Sequence, residues 1–310
     1  MINRHDAANP ARFVTAWLKN PYMLLTLTTI FWAGNTIAGR LAIGNVSPMG
    51  MTCFRWLISF ALMSVFIRGE VAQVPALLRQ KPAYIIIMGF IGFTGFNAVY
   101  YIAAHYTYAV NLGIMQSSTP IFVMLGAALF HHARITAGQV AGLIAGMVGV
   151  AVVASTGKLS VLQNLDFNRG DVMVLLVSIM YAVYSLGLRY RPPEWSGLAF
   201  FAAMALVAAI TSLPLLAWEI WQGHFFWPTA KGWAVIAYVS VFPSLLAQIW
   251  YIKGISMVGA ARAGFLFNAI PVFAAIMAVA ILGEPFGWYH ALGLVLVLGG
   301  IAWAERHKAG

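Results

Sequence analysis

The sequence predicts an all-α membrane protein of ten transmembrane helices, arranged as two inverted five-helix repeats. Three observations carry that prediction. First, the 310 residues are 62% hydrophobic and only 8% charged, whereas a soluble domain carries about 25% charged residues. Second, the apolar residues fall into long runs, each close to the roughly 20 residues that cross a bilayer as a helix. Third, the chain repeats itself. Asn111-Leu-Gly-Ile-Met-Gln-Ser-Ser-Thr-Pro120-Ile-Phe122 lies without a gap over Arg262-Ala-Gly-Phe-Leu-Phe-Asn-Ala-Ile-Pro271-Val-Phe273, at an offset of 151 residues, about half the chain. Gly113 falls on Gly264, Ser117 on Asn268, Gly142 on Gly293, Gly149 on Gly300, Tyr100 on Tyr251 and Asn97 on Gln248. A chance match would not be expected to preserve the proline, the polar residue before it and their spacing together. Internal repeats of this kind mark transporter folds.

The predicted spans run 22–43, 49–67, 83–104, 108–130, 136–156, 171–189, 196–218, 232–252, 259–282 and 286–304. They divide the chain into an N-terminal cytoplasmic tail (1–21), a first five-helix repeat (22–156), a connecting loop (157–170), a second five-helix repeat (171–305) and a short tail (306–310). The first tail has basic residues and prolines but no apolar core, so it is expected not to be a cleaved signal peptide.

Polar and aromatic residues inside the spans are costly in lipid and mark the interior. On the first span Trp32 and Asn35 lie three apart and share a helix face. The second carries Arg55 and the lone Cys53, which excludes an internal disulfide. The third carries Asn97, Tyr100 and Tyr101. In the fourth, Gln116 and Thr119 precede Pro120, which removes a backbone donor and predicts a kink. The sixth carries Tyr181, Tyr184 and Ser185. The eighth repeats the third with Gln248 and Tyr251. In the ninth, Asn268 precedes Pro271, the second predicted kink. The fifth and tenth are Gly-rich and suit close helix packing. The functional reading of this set is a central cavity, its amides for the polar end of a solute and its rings for a flat apolar body. The competing reading is helix–helix glue. For Arg55 and Arg262, a bound carboxylate competes with snorkelling to the headgroups or pairing with a backbone carbonyl.

Orientation follows from Lys and Arg in the short loops. With the N-terminus inside, twelve of them lie on the inner side and four on the outer side. Both termini are therefore expected in the cytoplasm. Five spans per half is an odd number, so the halves insert upside down relative to each other, with a binding site expected at mid-membrane between them.

Phe31-Trp-Ala-Gly-Asn35-Thr-Ile-Ala-Gly-Arg40, Ser47-Pro48 and Arg55-Trp56 resemble the opening of an EamA-type repeat. The Pro271 segment, Gly283-Glu284-Pro285 and the Gly-rich last helix resemble its close. The chain is thereby similar to ten-helix members of the drug/metabolite transporter superfamily, and more narrowly to YddG-type exporters of aromatic amino acids. It departs from the repeat at His132-Ala133, where the second half has Gly283-Glu284. The resemblance implies an inner-membrane exporter of small organic solutes, amino acids and related metabolites, with aromatic ones favoured.

Several classes are set aside. The net charge of +10 is spread over many short loops rather than gathered in a patch, so nucleic acid is not an expected partner. No metal-ligand spacing and no phosphate-binding Gly-rich loop occur, so neither an enzyme nor a bound cofactor is expected. The expected partners are a small-molecule solute and the lipid bilayer. The eight acidic residues all fall in tails, loops or span ends, and His290 alone of the histidines enters a span. Facilitative transport by alternating access is the expectation. Proton-coupled multidrug or metabolite efflux, and a non-transporting scaffold or lipid-handling protein, stand as alternatives.

Overall fold

The computed structural model describes residues 20–132, 135–158, 160–161, 168–259 and 266–307. Arg262 and Gly264, half of the loop between the repeats, and the extreme ends lie outside these. The described residues hold helices and no strand. In order they are α1 (Pro21–Leu41), α2 (Pro48–Phe66), the short α3 (Arg68–Val71) and α4 (Val74–Gln80), α5 (Pro82–Ala103), α6 (Ala109–Gln116), α7 (Thr119–His131), α8 (Ala137–Ala154), α9 (Arg169–Gly187), α10 (Gly197–Trp221), α11 (Ala230–Val258), α12 (Ile270–Leu282) and α13 (Trp288–Arg306).

Among the described residues, eight stretches are long and apolar enough to cross a membrane: α2, α5, α6 with α7, α8, α9, α10, α11 and α13. α12 is a shorter apolar helix of 13 residues, and residues 260–265 ahead of it lie outside the described residues. α1 has 21 residues but is not among the eight. Its polar Thr26, Thr28, Thr29, Asn35, Thr36 and Arg40 dilute its apolar character. Large apolar side chains such as Phe66, Leu129, Phe130, Ile144, Trp221 and Trp288 point outward and are exposed. On a soluble protein such a surface would associate; here it is the face offered to lipid.

The predicted kinks are complete breaks. α6 ends at Gln116, Ser117 and Ser118 form a turn, and α7 restarts at Thr119 with Pro120 in its first turn. Asn268 and Ala269 form the matching turn before α12, with Pro271 in its first turn. A proline is tolerated there because the first amides of a helix have no partner in any case. Pro120 cannot bond the carbonyl of Gln116, and the Thr119 hydroxyl does so instead (2.7 Å). Ser117 and Ser118 donate likewise to the carbonyls of Ile114 and Met115. A further pair of matching irregularities escapes the hydrophobic pattern. α5 widens into a π-turn at Phe90–Gly95 and α11 at Ser240–Leu246, at the repeat offset and just before Asn97 and Gln248. In α11 the widening contains Pro243.

The two halves interdigitate. α1 packs on α11 and α12, α2 on α10, α6 on α12, α9 on α5 and α7, and α8 on α13. The glycines predicted to allow close packing do so in the last pair. A Cβ on Gly142 would strike the carbonyl oxygen of Gly300, and one on Gly300 that of Gly142. α7 and α12 also end alike, at His132 (φ 50°) and Gly283 (φ 66°) in the left-handed conformation that lets a helix stop.

Candidate functional site

Where the halves meet, a cavity of about 550 Å³ is bounded by α1, α2, α5, the α6–α7 break, α9, α10, α11 and the break before α12. Small-molecule sites measure roughly 300–1,000 Å³. The cavity runs from Asn35, Arg55 and Asn97 deep in the bundle to Arg191, Gly197 and Ser256 at the ends of α9, α10 and α11. A second space of about 600 Å³ adjoins it across Asn268, Tyr251 and Tyr181, against α7, α8 and α13.

Of the residues predicted for the site, Trp32, Asn35, Asn97, Gln116, Thr119, Tyr181, Tyr184, Gln248, Tyr251 and Asn268 line this cavity, as do both kink prolines, Pro120 and Pro271. Their hydrogen bonds sort them. The side-chain amides of Gln116, Gln248 and Asn268 and the hydroxyls of Tyr181, Tyr184 and Tyr251 make no hydrogen bond among the described residues. None of them is a fully buried orphan either, so they meet open space. Trp32 donates to the carbonyl of Pro243 in the π-turn (3.1 Å) and lies edge-on to Tyr251 and Phe267, ring centres 5.0 and 5.4 Å away. Tyr181 continues this aromatic lining, 5.6 Å from Tyr184 and 6.5 Å from Phe267.

Tyr100 and Tyr101 do not line the cavity, which corrects the sequence reading. Tyr100 is 1% exposed, stacks on Phe96 and donates to Thr36 Oγ1 (2.8 Å). Tyr101 is equally buried and its hydroxyl is engaged by Asn35 and Arg55. Both lie on α5 with Asn97, but helical spacing places residues on a face without saying how deep a ring sinks between neighbours.

The group that organises the deep end is Arg55, which sequence reasoning left undecided between substrate, headgroups and a backbone carbonyl. It does not snorkel: it is 5% exposed. Nε donates to Ser244 Oγ (2.6 Å), and Nη1 donates to Asn35 Oδ1 (2.8 Å), Asn97 Oδ1 (2.7 Å) and the Tyr101 hydroxyl. Asn97 is itself oriented by its own bond to the carbonyl of Phe93 (2.6 Å). One guanidinium thus joins α1, α2, α5 and α11. Arg191 and Ser244 are further participants that sequence reasoning missed. For Arg55 the available signal was an ionisable side chain inside a span; for Ser244 there was none.

At the opposite end from Arg191 the bundle is closed by polar contacts. Glu284 accepts from the backbone amides of Ala109 (3.0 Å) and Val110 (3.1 Å), the first residues of α6, and pairs with Arg40 Nε (3.3 Å). A carboxylate is favoured at a helix N-terminus by the unpaired amides and the dipole there. That is what the glutamate absent from the first repeat does in the second. Glu219 holds the start of α2 in the same way, through Met49 and Gly50 (both 3.2 Å). Beside Glu284, Gly287 N donates to His290 Nδ1 (2.9 Å), so Nε2 is the donor to Asn111 Oδ1 (3.0 Å). Asn111 and Thr107 then donate to Asp171 Oδ1 (3.4 and 2.5 Å). Every buried carboxylate here is held by fixed donors, and none lines the cavity.

The arrangement can enclose a small solute between rings, bond it by amides and hydroxyls, and hold one end shut. Among the described residues, no group of His, Cys, Asp and Glu could hold a metal ion. Comparison with known proteins agrees with this character. The model of the EamA-like transporter family matches residues 19–155 and again 168–305. The chain is 25% identical to the uncharacterized transporter YyaM of Bacillus subtilis, over 92% of this chain and 93% of that one. It is 24% identical to YetK, an uncharacterized transporter of the same organism, over 90% and 85%. It is 21% identical to a probable terminal-alkyne amino-acid exporter of Streptantibioticus cattleyicolor, over 94% and 96%. One crystal structure superposes with a TM-score of 0.65 at 20% identity, over 93% of this chain and 98% of that one, a likeness of fold.

Proposed function

The chain belongs to the EamA-like transporter family, and from that premise we propose that it exports amino acids and related small organic solutes, aromatic ones preferred, by facilitative alternating access. It is a multi-pass membrane protein of a transporter family. On the proposed reading it crosses the inner membrane ten times, α1 and the α12 segment included, with its halves inverted and both ends cytoplasmic. The Arg191 end then faces the cytoplasm and the Glu284 end faces outward, so the described state is open inward.

The observation that carries the proposal is the cavity wall. Both halves contribute to it, and it combines unpaired amides (Gln116, Gln248, Asn268) and phenols with a lining of rings. Groups that only glued helices would be bonded to one another, as Tyr100 and Thr36 are. The named activity of the Streptantibioticus relative supports the choice of amino acids, and the aromatic wall supports a flat side chain. The test is uptake of a panel of labelled amino acids into proteoliposomes of the purified protein, with Asn97→Ala, Gln248→Ala and Asn268→Ala alongside. The expected outcome is saturable uptake of aromatic members. Asn268→Ala and Gln248→Ala should lower it at least several-fold with folded yield little changed. Loss of folded protein alone, with transport per folded molecule intact, would return these residues to packing.

A further inference from the structure

Resting on the transporter reading above, we infer that the cavity takes carboxylates: Arg55 is the anchor for the solute's carboxylate, and the site discriminates against cations. Two independent features lead there. The first is the state of Arg55. A buried charge is normally paired with an opposite one, yet all four hydrogen bonds of this guanidinium go to neutral oxygens, and it makes no ion pair among the described residues. Those bonds use Nε and Nη1. Nη2 makes no hydrogen bond among the described residues. It is also not one of the fully buried unpaired atoms, which are Ser47 Oγ, Trp56 Nε1 and Ser178 Oγ. An N–H donor pair on a fixed cation therefore faces the cavity that Arg55 lines. The neutral acceptors, with the rings of Trp56 and Tyr101 5.2 and 6.0 Å from the guanidinium carbon, lock it in place and leave it without an anionic partner, which suits a planar carboxylate.

The second feature is the charge of the whole wall. Among the described residues lining the cavity, the charged ones are Arg55 at the deep end and Arg191 at the mouth, with no Asp or Glu. Arg191 is fixed by its bond to the carbonyl of Trp195 (2.6 Å). A cleft with one sign of charge and low-dielectric walls concentrates ions of the other sign. A cationic amine would find neutral carbonyls and phenols but no carboxylate. An amino acid's ammonium group is tolerated on those same acceptors, while its carboxylate supplies the anchor. The preferred solute is a flat apolar body bearing a carboxylate.

The test uses three compounds of one shape: 3-phenylpropanoate (anion), phenylalanine (zwitterion) and 2-phenylethylamine (cation). Binding to the purified wild-type protein is measured by calorimetry, and uptake in proteoliposomes. The carboxylates should bind about 10- to 100-fold more tightly than the amine, the worth of one hydrogen-bonded charge. Arg55→Met, checked for fold by gel filtration and melting, should erase that preference, and Arg55→Lys should keep part of it. Equal binding of amine and carboxylates by the wild type overturns the inference, as does an intact preference in folded Arg55→Met. If Arg55→Met does not fold, the wild-type ranking decides. If none of the three is carried while another solute of the panel is, the inference falls and the transporter reading stands. If the folded protein carries nothing, the transporter reading itself fails.

Discussion

Glu284 shows how one side chain can serve two ends of a fold. Its two oxygens meet the first amides of α6, from the first half, while the residue itself follows α12 in the second, and Arg40 of α1 completes the group. Replacing it by Gln leaves one acceptor for two amides and removes the ion pair. Glu284→Gln should cost about 1–3 kcal/mol, the range for a buried donor left without its charged partner, read as a lower melting temperature of the purified protein in detergent. An unchanged melt would mean that the cap is not holding the closed end. At this scale the sequence was informative about candidates and silent about partners. Ten of the twelve predicted site residues reach the wall because polar side chains in apolar runs have nowhere else to go. Tyr100 and Tyr101 did not, and the hub at Arg55 was not foreseen, because its acceptors come from helices 20 to 189 residues away in sequence.

Among elements, the legible feature was the pair of prolines at the repeat offset, and the illegible one was what the chain does around them. A single missing amide predicts a bend. The structure instead ends one helix and starts another, because Thr119 and the two serines before it satisfy the freed carbonyls locally. The matching π-turns left no hydrophobic signature, since a π-turn shifts the register of a helix without changing which residues are apolar. Their position before Asn97 and Gln248 accords with the frequent association of π-turns with functional sites. The break before α12 leaves Asn268 in a turn rather than in a helix. Pro271→Ala returns the missing donor and lets the helix run back through Asn268. The expected result is protein at least as stable as the wild type but with transport reduced about tenfold or more, measured as initial uptake per folded molecule. Full transport in this variant would show that the break is not needed to present the amide.

For the whole molecule, the duplication was readable because it is written in spacing. The interleaving of the halves was not, since packing of α1 on α11 or α8 on α13 joins residues that share no local pattern. This interleaving bears on energy coupling. In the described state the cavity reaches the Arg191 end, and the buried acidic groups sit at the other end as helix caps and hydrogen-bond acceptors: Glu219 at α2, Glu284 at α6, and Asp171 with Thr107 and Asn111, while Glu305 lines the adjoining second space. A proton-driven carrier needs an ionisable group that solute and proton address in turn. Among the described residues no Asp, Glu or His lines the cavity, so the solute in its site meets none of them. Opening the Glu284 end would separate these pairs, but their ionisation is not linked to solute contact. Transport should therefore follow the solute's own gradient and, for a charged solute, the membrane potential, which weights one charge by about 2.3 kcal/mol per 100 mV. In proteoliposomes an imposed pH gradient, with the potential clamped at zero, should not raise the internal level above the external one. Uphill accumulation that collapses with a protonophore would contradict this, and would make Asp171, Glu284 and His290 the first residues to replace.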